Sequence, residues 1–246
     1  MRNIIITLCV VSALCVLGNA SCVLAPDAGP KTQDDYQRLY EDLLYPSVRI
    51  TSLAGCGSGV IIHRKDAKGA KDTIYIITAA HVAGNEALAD VELFGSTRAL
   101  PAFVVATDTS KDLALLRLVL LNPHNPRLHR AKLAPRGYAP RIFTPVWVIG
   151  CSLGLSIKPT EGLITSLNER AYSSINHWGI NAPIWPGNSG GGVFLKDSHE
   201  LIGIVVWVRT CRGQLASTMG GIVPLDEIYE FLKGTKALSN KGTERK

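Results

Sequence analysis

Downstream of residue 45, the apolar residues of this chain fall into short runs rich in β-branched side chains. Val48-Arg49-Ile50, Gly59-Val60-Ile61-Ile62, Thr73-Ile74-Tyr75-Ile76-Ile77-Thr78, Val91-Glu92-Leu93, Phe103-Val104-Val105 and residues 113–118 make a first set. Residues 145–149, 162–164, 192–195, 201–208 and 221–223 make a second. Turn residues separate the runs and no helices alternate with them, a pattern that predicts an all-β barrel or sandwich. Residues 121–140 carry prolines and basic side chains with almost no strand pattern, and read as a connector between two β halves. Helical spacing marks both flanks. Tyr36, Leu39, Tyr40, Leu43 and Leu44 predict an N-terminal helix, with Asp34 or Asp35 as its cap and Pro46 as its stop. Leu225, Ile228, Tyr229 and Leu232 predict a closing helix.

Composition supports a packed core: of 246 residues, 46% are apolar and 19% charged, which excludes a disordered chain. The net charge of +6 is diffuse, and part of it sits in residues 233–246. That balance does not identify a nucleic-acid binder, and no zinc-finger, helix-turn-helix or RNP-like motif is present. At the start, Arg2 precedes an apolar run over residues 4–17 that is short for a membrane span. Gly18-Asn19-Ala20 then offers small residues for a cut after Ala20, so residues 1–20 read as a signal peptide. A bacterial lipid anchor at Cys22 is the minority alternative, because Asn19 stands where such a motif needs Leu. Either reading implies export, secreted or periplasmic. Cys22, Cys56, Cys151 and Cys211 lie beyond the signal, and export permits disulfides among them in any of three connectivities.

Three segments carry chemistry. Gly187-Asn188-Ser189-Gly190-Gly191 offers a serine where glycines let the backbone turn tightly and bring N–H groups together. An ordinary glycine turn would use the same residues. Thr78-Ala79-Ala80-His81-Val82 places a histidine among small residues at the end of an apolar strand, a setting that His63, His124, His129, His177 and His199 lack. Asp112 opens an apolar strand, where partial burial requires a partner such as a histidine N–H. A hydroxyl, a base and an orienting carboxylate are the parts of a hydrolytic triad.

These segments, in the order His81, Asp112, Ser189, resemble the trypsin-like peptidases of the chymotrypsin fold. Cys56-Gly57-Ser58-Gly59-Val60 resembles the family's strand before the histidine, and Pro46-Ser47-Val48-Arg49-Ile50 resembles the opening of the first barrel in its HtrA-like branch. The resemblance spans about residues 45–232. It implies two six-stranded antiparallel β-barrels, about 45–120 and about 140–224, within a peptidase domain of residues 35–234. A linker at 21–34 and a disordered basic tail at 235–246 flank that domain. It implies a serine endopeptidase that works through an acyl-enzyme without metal or organic cofactor. Ser189 would be the nucleophile, His81 the base and Asp112 the orienting acid, and the amides of Gly187 and Ser189 would form the oxyanion hole. The partners implied are peptides or proteins, with no nucleic acid and no obligatory membrane span.

The chain departs from the pancreatic pattern. Asn188 replaces the aspartate that pairs with a new N-terminus after zymogen cleavage, so that activation route is not expected. No HtrA-type PDZ domain is expected in this sequence, since only about a dozen residues follow the predicted closing helix. Cys151 and Cys211 both fall near the family's specificity pocket, which suggests that they pair. Ile184, Val206, Trp207, Val208 and Gly221 fall on the substrate channel, with Gly221 on the wall opposite Val208. No carboxylate lies at the pocket base, where Pro183 stands, so the pocket should prefer small or medium apolar side chains. The competing reading is a peptide-binding module on the same fold whose loop Cys151-Ser152-Leu153-Gly154 holds the oxyanion site inactive. An α/β-hydrolase esterase is excluded by residue order, since only His199 follows Ser189.

Overall fold

The computed structural model describes residues 32–65, 72–120, 128–170 and 174–235. The signal peptide, Cys22 and the basic tail from residue 236 lie outside the described residues, as does most of the 21–34 linker.

The first half closes into one antiparallel barrel. Its strands are β1 (Ser47–Ser52), β2 (Gly55–Lys65), β3 (Asp72–Thr78), β4 (Leu88–Leu93), β5 (Ala99–Asp108) and β6 (Leu113–Leu120). They pair in the order β1-β2-β3-β6-β5-β4, and β4 returns to β1. β1 alternates buried Val48 and Ile50 with more open positions, as a strand with one face to a core must. Ile74, Ile76 and Ile77 in β3 and residues 113–116 in β6 are fully buried on both faces, which is why they read as unbroken apolar runs.

The second half adds β7 (Lys132–Leu133), β8 (Pro145–Gly150), β9 (Lys158–Arg170), β10 (Asn176–Ile180), β11 (Gly192–Leu195), β12 (Glu200–Cys211) and β13 (Gln214–Pro224). The order β11-β8-β9-β10-β13-β12 closes through the β11–β12 pairing, and β7 lies parallel to β12 outside that ring. Phe194 is the largest fully buried side chain among the described residues. Two six-stranded antiparallel barrels therefore form the body. β10 carries no signal in the sequence: Asn176-His177-Trp178-Gly179-Ile180 lacks a β-branched run, and its pairing is dictated by β9 and β13 on either side.

The flanking helices differ from expectation in detail. α1 (Gln33–Leu39) is capped by Thr32, whose hydroxyl accepts from Asp35 N at 3.1 Å while the Asp35 carboxylate accepts from Thr32 N at 3.1 Å. Asp35 is thus the returning partner of a capping box rather than the cap. The helix widens into a π-helical turn at Tyr40–Leu44, where Leu43 is buried. A four-residue helix, α2 (Ala80–Ala83), follows β3 directly. The closing helix, α3 (Leu225–Gly234), buries Leu225, Ile228, Phe231 and Leu232. It reaches back to the first barrel, where Lys111 Nζ pairs with the Glu227 carboxylate at 2.6 Å. No helix of the described residues is long and apolar enough to cross a membrane.

The expected disulfide is not formed. Cys56, Cys151 and Cys211 are all free. Cys151 is fully buried just after β8, whereas Cys211 is exposed at the end of β12, opposite Gln214 in the hairpin to β13. One thiol sits in the interior and the other faces solvent. Burial also pushes the Cys151 thiol up to about 11, which keeps it protonated and unreactive.

Candidate active site

The first barrel presents an assembled histidine–carboxylate pair. β3 ends at Thr78 and the chain turns into α2, so the first amides of that helix have no partner within it. Asp112, at the start of β6, supplies the acceptors. Its carbonyl takes Ala80 N at 3.1 Å and its Oδ1 takes His81 N at 3.0 Å. The other carboxylate oxygen, Oδ2, lies 2.7 Å from His81 Nδ1. Asp112 sits at φ 55°, a left-handed conformation that Asp tolerates better than most residues. With Nδ1–H donating to the carboxylate, Nε2 is left as the basic nitrogen. The imidazole side chain is half exposed and the carboxylate a quarter exposed, so the pair borders solvent on the cleft side.

The second barrel presents Ser189 on the loop between β10 and β11. In the turn 186–191 around Ser189, three backbone donors are paired. Asn188 N donates to Trp185 O at 3.0 Å, Gly190 N to Val205 O at 2.7 Å and Gly191 N to Asn188 O at 2.9 Å. Pro186 has no N–H. Among the described residues, Gly187 N and Ser189 N donate to no protein acceptor. These are the two amides the sequence singles out. Gly187 takes φ 97°, and a side chain there would also collide with the Cys151 carbonyl at 2.2 Å. The Pro186 carbonyl accepts from Leu153 N at 2.6 Å, so it is turned toward the 151–154 loop. Asn188 is fully buried, and its Oδ1 accepts from Ser152 Oγ at 2.8 Å and Trp185 N at 3.1 Å.

The two halves meet closely. Ser58 N donates to Ser189 O at 2.8 Å. A Cβ on Gly57 would meet Val82, the neighbour of His81, at 2.5 Å and Ser189 O at 3.1 Å. Ser189 and the residue after His81 thus meet at one position of β2, and no direct hydrogen bond joins the Ser189 and His81 side chains among the described residues.

A cleft of about 640 Å³ opens beside the pair. His81 and Asp112 line one end, with Val206, Trp207 and Val208 of β12 along one wall. Gly221, expected on the wall opposite Val208, is the register partner of Trp207, and Ile184 lies beside Gly220. The Trp207 indole lies over Gly221, where a Cβ would come within 2.1 Å of it. Ile184 is buried and points its Cδ1 at Gly220, 2.2 Å from where a Cβ would sit. Gly220 is the register partner of Val208, so Ile184 packs beside that pair. The sequence also passed over His177. It is buried in β10 against Trp207 and lines the same cleft as His81. Burial lowers its pKa, partly offset by the Asp112 charge. Only the pairing of β10 brings it there, and nothing in its local sequence signals that.

Comparison with known proteins agrees with this geometry. Residues 57–204 match the model of the trypsin-like peptidase domain. The chain is 31% identical over 210 residues to a serine protease HtrA-like of Staphylococcus epidermidis, covering 76% of this chain and 31% of that protein. It is 27% identical over 191 residues to a serine protease HtrA-like of Staphylococcus aureus, covering 72% and 23%. The chain thus spans less than a third of the length of these relatives. Among solved structures, the HtrA-type protease AlgW with tripeptide superposes with a TM-score of 0.66 at 24% identity, over 80% of this chain and 62% of that one. The inactive form of the Rv3671c protease, from Mycobacterium tuberculosis H37Rv, superposes with a TM-score of 0.61 at 22% identity, over 79% and 90%. Both share the fold.

Proposed function

The chain belongs to the trypsin-like peptidase family, and on that premise we propose that it is an exported serine endopeptidase. Ser189 Oγ attacks the scissile carbonyl while His81 Nε2 takes its proton. Asp112 holds the imidazole in the Nδ1–H tautomer and stabilises the imidazolium. Gly187 N and Ser189 N receive the oxyanion. The imidazolium then protonates the leaving amine, and water, activated by His81, hydrolyses the acyl-enzyme. The observation that carries this reading is that, in the turn 186–191 around Ser189, Gly187 N and Ser189 N are the two backbone donors with no protein acceptor among the described residues. The latent-loop alternative is disfavoured by the same count, because the Pro186 carbonyl is engaged by Leu153 N and does not occupy Ser189 N.

The substrate docks as an added strand. β12 pairs with β11 through Ile204, and Val205 exchanges bonds with the Gly190–Gly191 backbone. From Val206 onward its edge away from β13 is open among the described residues, so an extended peptide can continue the sheet there. The side chain before the scissile bond enters the slot that Ile184 narrows between Val208 and Gly220, which favours small apolar residues such as Ala or Val. Residues 1–20 direct export, with a lipid anchor at Cys22 as the lesser variant. Labelling by a fluorophosphonate probe tests the assignment: wild type should label, and Ser189→Ala should not. Equal labelling of both, or none of wild type, overturns it. A peptide library cleaved chiefly after Arg or Lys overturns the pocket assignment.

A further inference from the structure

The motif Cys56-Gly57-Ser58-Gly59-Val60 has a use beyond forming β2. Gly59 points into the first barrel, where a Cβ would meet Ile50, Ile76 and Val48. Side chains alternate along a strand, so Ser58 points the opposite way, out of its own barrel and toward the second. It is fully buried there.

Every polar group of Ser58 is engaged. Its N–H donates to Ser189 O at 2.8 Å, and its carbonyl accepts from Thr78 Oγ1 at 2.6 Å. Its hydroxyl accepts from Cys151 N at 2.8 Å and donates to Gly187 O at 2.7 Å. The direction of the hydroxyl is fixed by its partners, because an amide can only donate and a carbonyl can only accept. One residue therefore binds the serine loop at two points, the 151–154 loop at one, and the strand leading to His81 at one. The surroundings are shaped to allow it. Gly150 leaves room for the hydroxyl, since a Cβ there would come within 3.0 Å of Ser58 Oγ. Gly190 does the same for the carbonyl, at 2.1 Å.

We propose that Ser58 is the positioning residue of the oxyanion hole, its hydroxyl clamping the Gly187 carbonyl and the Cys151 amide so that Gly187 N and Ser189 N stay aimed at the reacting carbonyl. The proposal rests on the peptidase reading. Ser58 touches no substrate atom. Its hydroxyl acts through the Gly187–Asn188 peptide, and through Cys151, whose carbonyl accepts from Gly154 N at 2.8 Å in the loop that holds Pro186.

The test compares wild type with Ser58→Ala on a cleavable peptide, with active sites counted by fluorophosphonate burst. Displacing a donor by a fraction of an ångström to one ångström lowers kcat per active site by about 10- to 100-fold. KM should stay within about twofold, because the β12 edge is untouched. Affinity for a peptide boronate, which mimics the tetrahedral state, should fall in parallel with kcat. The pH profile of kcat/KM should keep its midpoint, since the His81–Asp112 pair is not altered. If Ser58→Ala fails to fold, Ser58→Cys, which keeps a weak donor and acceptor in nearly the same volume, should give a folded enzyme with intermediate kcat. A merely structural role would lower the thermal midpoint and the count of active sites but leave kcat per site and boronate affinity unchanged, and that result overturns the proposal. An inert wild type overturns the peptidase reading instead, and this inference with it.

Discussion

The two barrels contribute to the site in different ways. The first delivers a finished unit. His81 and Asp112 are bound to each other by two hydrogen bonds, and both belong to one closed barrel. The second delivers donors held by loops. Gly187, Gly190, Leu153 and Gly154 all take positive φ, against Asp112 alone in the acid–base pair, and β12 shifts register against β13 at Val206, beside the cleft. Such backbone is held in place by its surroundings, here the bonds from Ser58 and Leu153 and the side chain of Asn188. The acid–base pair is thus fixed by local chemistry and the oxyanion hole by contacts between barrels. A substitution in the first unit should remove chemistry, and one at the junction should misalign it.

The largest expected effect sharpens the first half of that contrast. Asp112→Asn retains the shape but cannot hold the Nδ1–H tautomer, and kcat should fall by about 10⁴-fold with the fold intact. A loss under about tenfold, measured on active-site-titrated enzyme, would mean that the pair is not the chemical unit.

Core truncation compares the barrels as structures. Phe194→Ala in the second should cost about 3–5 kcal/mol and Leu116→Ala in the first about 2–5 kcal/mol. Both residues are fully buried. Because Ser58, Lys111–Glu227 and the serine loop join the halves, each variant should melt in a single calorimetric transition lowered by roughly 10 °C. Two resolved transitions would show that the barrels unfold separately and that the junction does not couple them.

The smallest effect concerns His177. Its pKa is depressed below the ordinary 6.5 by burial. The unfolded chain therefore binds the proton more readily, and stability rises with pH through the window below the unfolded value. The contribution is complete above about pH 6.5 and declines as the pH falls below it. Urea midpoints followed on the acid side should drop less for His177→Phe than for wild type. Equal slopes would show that His177 is neutral-to-charged at the same pH in both states.

Much of this was legible in the chain. The β-branched runs gave eleven of the thirteen strands, because a run covered on one or both faces must be apolar at those positions. The strands that escaped, β7 and β10, are held by their neighbours' hydrogen bonds and not by their own side chains. The motifs around His81, Asp112 and Ser189 were visible since tight turns and small flanking residues leave a local mark. The N-cap was displaced to Thr32 because the capping box runs backward from Asp35.

What sequence alone determined is therefore the class of chain and the residue types able to do acyl transfer, since periodicity and turn chemistry act over a few neighbours. What only the tertiary structure decided is everything set by residues far apart in the chain. His177 reaches the cleft through strand pairing, Ile184 packs against Gly220, and Cys151 is sealed from Cys211 by burial. Ser58 meets Gly187 across 129 positions of sequence. Such contacts form only when two separately closed barrels pack together, and no local pattern encodes where that packing places them.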